Sequence, residues 1–439
     1  MHSKVLIVGT SPYDKQGPAR AFESYFSDWE KNNLIQIFTS PIVPKAGHCS
    51  KLYQVTDSQM LKRWFSGKNK TGVIYKYEDL TSIDEPTRMN KGDVSNSFVS
   101  KLYKIGKKKT PLTYLLRGIL WRQKYWCTSE LVQFVDEFTP DCIFLAFSDD
   151  YFILKIALFF ARRYDIPIVS CIGDDYYFIE SHSHSPLSYI YKKTYRKLVR
   201  TVFEHGGSAV YIGNKIRDKY NSEFELNGET VYLASEIKPH EFRKINVLNP
   251  KILYCGNIRL GRNHSLNEIG KALACINREY CLDIYSNEKD DAYYKELVDN
   301  PNINYHEAIP YNQVMAKMSE SDILVVVEGF DKSDVDITRY SLSTKVADSL
   351  ATGGSVLAFG SSDTGAMDYL SSISCTALCT NIDDLVNCMK NLITDESFQK
   401  RNYDTAMRIV EENHRIQKSI KVFEQIVNNA ISNYRKRRK

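Results

Sequence analysis

Two stretches of the chain combine a glycine turn, cations and a helix start, the ingredients of a phosphate site. The first is Tyr254-Cys255-Gly256-Asn257-Ile258-Arg259-Leu260-Gly261-Arg262-Asn263, which leads from an apolar strand, Ile252–Cys255, to a helical pattern over Leu266–Asn277. A strand, a glycine turn and the open amides of a helix N-terminus form a diphosphate cradle. Arg262 has the planar fork that clamps two phosphate oxygens, while Asn257 and Asn263 donate without adding charge. The second stretch is Ser343-Thr344-Lys345, ahead of a helical pattern over Thr344–Leu350 and the pair Gly353-Gly354. Ser343 or Thr344 is the expected N-cap, and the hydroxyls with Lys345 make another anion cradle. Asp348 lies one turn beyond Thr344, placed to accept from a vicinal diol such as that of ribose. The competing expectations are a surface loop with incidental arginines and a capped helix with a solvent-facing Asp348.

The first half of the chain offers less. After the apolar run Val5–Val8, Gly9 and Gly17 flank a loop in which a ligand can approach the backbone of the first helix. Their spacing is not that of a G-x-G-x-x-G turn, and no G-x-x-x-x-G-K-[ST] occurs, so nicotinamide and P-loop ATP chemistry lose their usual signature. Gly173-Asp174-Asp175-Tyr176-Tyr177 follows the apolar run Ile166–Ile172, where carboxylates beside tyrosines can orient a hydroxyl or take its proton. Helix capping is the other use for Asp174 and Asp175, and it is the expected role of Ser148-Asp149-Asp150.

Composition narrows the class. At 439 residues and 43% hydrophobic content, the chain is long enough for two or three globular domains. Ten cysteines are scattered without zinc spacing and several lie in apolar runs, so no metal is expected and a reducing, cytoplasmic setting is. No apolar stretch is long enough to span a bilayer, and the N-terminus lacks a secretory core. Net charge is +5, but the cations cluster: Lys101–Lys109 with Arg117, Arg122 and Lys124; Arg196, Lys197 and Arg200; and the tail Arg435–Lys439. Interleaved Tyr103, Tyr114, Trp121, Tyr125 and Trp126 suit an anionic membrane surface as well as a solvated helix face. No nucleic-acid motif accompanies the charge, so a nucleic-acid partner is not expected.

The elements that must position these residues alternate between strand and helix, the pattern of parallel α/β sheets. The expected fold class is α/β, with two tandem Rossmann-like, doubly wound domains facing each other across a cleft. The N-terminal domain is assigned to residues 1–237, with an insertion of loops and short helices at about 50–115. Residues 238–250, with two prolines and no apolar period, are assigned as linker. A second domain is assigned to 251–410, and a helix with a basic tail, 411–439, is expected to pack back on the N-terminal domain.

The stretch over about 250–371 resembles the nucleotide-sugar half of two-domain GT-B glycosyltransferases, particularly the family-4 type. Gly256 matches that family's first glycine, Arg262 stands where it has Lys, and Asn257 where it has Arg. Asp348, ahead of Ala351-Thr352-Gly353, stands where the family has a ribose-binding Glu. STKVADSLATGGSVLAFG, residues 343–360, is similar to the S-T-K-x-x-x-x-L-A-x-G-x-P-V-x-A version of bacterial capsule and cell-envelope transferases, with Ser355 in place of Pro. The family's earlier glutamate is replaced by Tyr340, and Glu328-Gly329-Phe330 is similar to its E-G-F-G. Asp174 and Asp175 occupy the place of a His-Asp or His-Gly pair.

The resemblance implies transfer of a sugar from a nucleoside diphosphate to an acceptor hydroxyl, with retention of configuration. Gly256, Asn257, Arg262, Ser343, Thr344 and Lys345 would bind the donor diphosphate, Asp348 its ribose, and Asp174 and Asp175 would serve the acceptor hydroxyl. It implies no cofactor or metal, and a glycan or lipid-linked glycan acceptor at the inner face of the membrane, in surface polysaccharide assembly. A nucleotide-sugar epimerase of the same fold, or a non-catalytic partner-binding protein, are the alternatives.

Overall fold

The computed structural model describes residues 2–14, 22–67, 71–83, 85, 88–89, 110–179 and 185–438. Gly17, Lys101–Lys109 and Lys439 lie outside the described residues. The chain forms two compact units: Met1–Tyr211 with Arg217–Thr230 and Ile420–Lys439, and Ile212–Ile216 with Val231–Ser419.

The first unit is built on an eight-stranded sheet of β1 (Val5–Val8), β2 (Leu34–Phe38), β3 (Lys51–Gln54), β4 (Val73–Lys76), β5 (Cys142–Ala146), β6 (Ile168–Ile172), β7 (Ser208–Tyr211) and β8 (Glu229–Thr230). Its order is β4-β3-β2-β1-β5-β6-β7-β8, parallel except for β3–β4. Strand order therefore reverses between β1 and β5, the position where open α/β sheets leave a crevice at their carboxyl ends. Among its helices are α1 (Pro111–Leu120), α2 (Tyr151–Tyr164), α3 (Pro186–Gly206) and α4 (Asn214–Phe224), the last beginning in the residues assigned to the other unit.

The second unit carries an all-parallel sheet of β9 (Ile252–Cys255), β10 (Leu282–Ser286), β11 (Ile303–Glu307), β12 (Ile323–Val327), β13 (Ser355–Phe359) and β14 (Ala377–Cys379), in the order β11-β10-β9-β12-β13-β14. Here the reversal falls between β9 and β12. Their continuous apolar runs follow from burial on both faces. Ile323, Val325 and Val327 enter one core with Leu266 and Ile269, while Leu324 and Val326 enter another with Leu350 and Val356. The helices that matter below are α5 (Arg262–Ile276), α6 (Tyr311–Glu320), α7 (Lys345–Ala351) and α8 (Ile416–Arg437). From Ile420 onward α8 belongs to the first unit, where fully buried Phe423 packs edge-on against Phe26 and Phe144, with centroids 5.1 and 5.5 Å away.

Three expectations need correction. The segment at 50–115 is not simply an insertion of loops and helices, because β3 and β4 extend the sheet and Leu52 and Tyr53 are buried. Lys51 and Gln54 disguise β3 as a polar stretch, although it pairs with β2 along its length. The pattern over Arg117–Phe138 reads in the sequence as one helix, but three short helices cover it, Pro111–Leu120, Gln123–Trp126 and Ser129–Asp136, the first capped by Thr110 and the third by Thr128. Residues 238–250 pack on the second unit instead of linking domains. His240 N donates to Thr352 O at 3.0 Å, Arg243 donates to Ser321 O at 2.7 Å, and Ile245 is buried.

Candidate functional site

In the second unit the strand-order reversal brings the ends of β9 and β12 together, and the turns that follow them carry the charges. Gly256 has φ +140°, a conformation open to glycine, and a Cβ there would stand 2.2 Å from Lys345 Cε and 2.4 Å from Lys345 Nζ. Lys345 therefore crosses the glycine turn. Its ammonium reaches the Tyr254 hydroxyl at 3.4 Å and lies 5.0 Å from that ring's centroid.

Beside it, Arg262 opens α5 behind Gly261, whose φ of +73° completes the turn. Arg262 donates through Nη2 and Nε to Glu328 Oε2 at 2.7 and 3.1 Å, and through Nε to Val327 O at 3.3 Å. Glu328 is buried; burial pushes its carboxyl above the usual carboxylate range, against the pull of Arg262 and Lys345. The first turn of α5 is tied to the same strand end by Ser265 Oγ, 2.7 Å from Glu328 O. Lys345 and Arg262 thus bring two cations to the turn, beside Glu328 and beside Asp334, whose Oδ2 would stand 2.9 Å from a Cβ on Gly261.

Other residues singled out in the sequence have different tasks. Asn257 is exposed and its Oδ1 accepts from Arg259 N at 2.9 Å, an Asx-type turn. Asn263 is buried and donates to Glu296. Thr344 occupies the N-cap of α7 without a capping hydrogen bond; the neighbouring Ser343 Oγ accepts from Lys345 N at 3.4 Å. Asp348 is not solvent-facing. It is buried, with Oδ1 accepting from Ser235 Oγ at 2.8 Å and Oδ2 from Tyr311 OH, at the start of α6, at 3.2 Å.

In the first unit, Gly9 has φ +97° and a hypothetical Cβ would meet Ala146 O at 2.4 Å. Close approach of the β1 turn to the end of β5 accounts for this glycine. Asp175 is buried, and its Oδ1 accepts from the amides of Tyr177 and Phe178, both at 2.9 Å, and from Tyr220 OH at 2.8 Å. This carboxylate holds the loop after β6. Asp174 is exposed beside Tyr176, whose hydroxyl is pushed up by burial and by Asp174, Asp149 and Asp150.

Asp149 and Asp150, expected as caps of α2, serve otherwise. Asp149 accepts from the Tyr114 hydroxyl, and Asp150 pairs with Arg117, which also pairs with Asp57 at 3.1 Å. Asp150 sits at the N-cap with no capping hydrogen bond from its side chain. A cluster of carboxylates and tyrosines thus lies at the carboxyl ends of β5 and β6, gathered from segments far apart in the sequence. Among the described residues no group of His, Cys, Asp and Glu has the arrangement of a metal site.

No protein-family model matches the sequence, and a search of curated proteins finds no relative. Solved structures do share the fold. The alpha,alpha-trehalose 6-phosphate synthase of Burkholderia multivorans aligns over 100% of this chain and 99% of its own, with a TM-score of 0.59 and 9% identity. Anabaena HepE, solved with UDP and glucose, aligns over 98% and 100%, with a TM-score of 0.58 and 14% identity. Sucrose-phosphate synthase of Thermosynechococcus elongatus aligns over 98% and 99%, with a TM-score of 0.57 and 9% identity. At such identities the shared property is the fold: two parallel-sheet, Rossmann-like domains of the GT-B glycosyltransferase type.

Proposed function

We propose that the protein is a glycosyltransferase that moves a sugar from a nucleoside diphosphate to an acceptor hydroxyl. The observation that carries this is Lys345 lying across the Gly256 turn beside Arg262, at the strand-order reversal of the second unit. When the bond between the sugar and the diphosphate breaks, negative charge grows on the departing phosphate oxygen. Lys345, the open edge of Arg262 and the positive end of the α5 dipole are positioned to stabilise it. The diphosphate charge is then met by the chain's own cations, and this chemistry calls for no metal or cofactor.

Asp348 receives the ribose diol by exchanging the 3.2 Å hydrogen bond from Tyr311 for one from the ligand. Asp174 orients the acceptor hydroxyl, with Asp175 fixing the loop that carries it. The HepE structure holds UDP, which makes uridine the first base to try. Retention of configuration, a lipid-linked glycan acceptor, surface polysaccharide assembly and a place at the inner face of the membrane complete the proposal, following the family-4 capsule-type resemblance of residues 343–360.

A non-catalytic reading draws on two observations: Asn257 is turned into its own loop and Asp348 into the interior. Scanning fluorimetry with nucleoside diphosphates and their sugars separates the two. A ligand bound only by the native state raises the melting temperature. The expected result is a rise with one base, lost in Lys345→Ala and Arg262→Ala. A flat response across the panel would leave the partner-binding reading.

A further inference from the structure

The first unit carries a surface that the donor chemistry does not use. Helix α1 turns Leu112, Leu116 and Ile119 outward, exposed by 51, 53 and 41%. Their spacing of four and three residues puts them in one stripe on the helix. A soluble helix normally points this stripe into a core, yet α1 buries its other side, through Thr113, Gly118 and Leu120.

Helix α3 packs beside α1, with the rings of Tyr114 and Tyr191 stacked at 4.7 Å. Its first turns again expose apolar groups, Leu187 by 40% and Ile190 by 50%. One and two turns beyond Ile190, the same outward side carries the exposed cations Lys193 and Lys197. The sequence of α1 contains no acidic residue, and that of α3 only Glu204, near its far end. Exposed Arg122 and Lys124 follow directly after α1.

Apolar side chains standing out from a helix pair, flanked by cations with almost no acids, form an amphipathic surface suited to a bilayer. The apolar groups enter the headgroup–acyl boundary while the lysines meet anionic headgroups. No described helix is long and apolar enough to cross a membrane, so binding of this kind would be interfacial. We infer that the α1–α3 face docks the protein on an anionic lipid surface. The inference deepens the proposed transfer to a lipid-linked acceptor, but its physical basis is separate from the donor site.

The test uses the full chain and vesicle flotation. Vesicles of phosphatidylcholine with phosphatidylglycerol in equal parts are compared with phosphatidylcholine alone. The protein is expected to float with the anionic vesicles and not with the neutral ones, and to be released by high salt. The double variant Leu116→Asp, Ile190→Asp changes only exposed positions, and its partitioning is expected to fall at least tenfold. Lys193→Glu with Lys197→Glu is expected to lower binding to anionic vesicles in the same direction.

Failure of the wild-type protein to float would overturn the inference, as would flotation of the double aspartate variant at the wild-type level. The second result would assign lipid binding to another basic segment, such as the C-terminal tail. Self-association of the wild-type protein without vesicle binding, abolished by Leu116→Asp, would assign the face to a second copy of the chain and also overturn it. Donor-induced melting shifts measured on the same samples keep the two proposals apart, because these substitutions lie outside the donor site.

Discussion

Lys345 passes over Gly256 so closely that a single methyl group on the glycine would stand 2.4 Å from the lysine Nζ. The turn after the first strand of the second unit is thus shaped around a cation delivered from a helix almost ninety residues later, at 91 positions from Tyr254. Gly256→Ala is expected to displace that ammonium. The left-handed backbone at φ +140° adds a strain of about 1–3 kcal/mol. The melting temperature should fall modestly, and most of the rise caused by the nucleoside diphosphate should disappear. A full ligand-induced rise in Gly256→Ala would show that Lys345 does not serve the ligand.

Arg262 and Glu328 form a buried ion pair, so removing one partner strands the other. Glu328→Ala is expected to lower stability by about 3–5 kcal/mol, measured by urea denaturation. Arg262→Met combined with Glu328→Leu should recover much of that loss while still failing to bind the ligand. Recovery of both stability and binding would remove Arg262 from the proposed site.

His414 gives the second unit a pH-dependent stability. It is buried between Leu233 O at 2.9 Å and Tyr369 OH at 2.8 Å, and burial lowers its pKa to about 4, against the pull of the Leu233 carbonyl and Asp348. The unfolded chain takes up this proton near 6.5, so between there and about 4 it binds more protons than the native state. Stability is full above pH 6.5 and declines as the pH falls to about 4, by about 3 kcal/mol from this group. Melting temperatures across that range should show a steeper acid slope for the native protein than for His414→Gln. Equal slopes would place the sensitivity elsewhere.

Adjacent Asp174 and Asp175 are expected to separate cleanly. Asp175→Ala leaves two amides and the Tyr220 hydroxyl without an acceptor, costing about 2–3 kcal/mol. Asp174→Asn, at an exposed position, should leave the melting temperature within the small range typical of surface changes while reducing transfer to the acceptor. Unchanged transfer by Asp174→Asn would dismiss it as the acceptor-side carboxylate.

If Lys345 and Arg262 meet the diphosphate charge, chelation should not matter. The ligand-induced rise in melting temperature is expected to be the same in EDTA as in magnesium. Loss of the rise in EDTA would assign part of the charge to a divalent cation.

The strands of both sheets' centres were readable because each is a short, continuous apolar run, and burial on both faces writes itself into composition. The turn Gly256–Arg262 was readable for a similar reason: turn chemistry and helix starts act over a few neighbouring residues. Polar β3, with Lys51 and Gln54 at its ends, carried too weak a pattern, and only its pairing with β2 makes it a strand. Ser148-Asp149-Asp150 looked like a cap because local spacing says nothing of Arg117 and Tyr114, which take those carboxylates from another helix.

Sequence alone therefore determined the α/β class, the strand–turn–helix around Gly256 and the supply of cations near it. Tertiary structure alone decided their partners. Arg262 and Glu328 are 66 residues apart, Ser235 and Asp348 113, and each pair meets because of strand order and helix packing. Local pattern records what a residue's immediate neighbours require. Which distant side chain completes a buried charge depends on the folded topology, and no spacing along the chain encodes it.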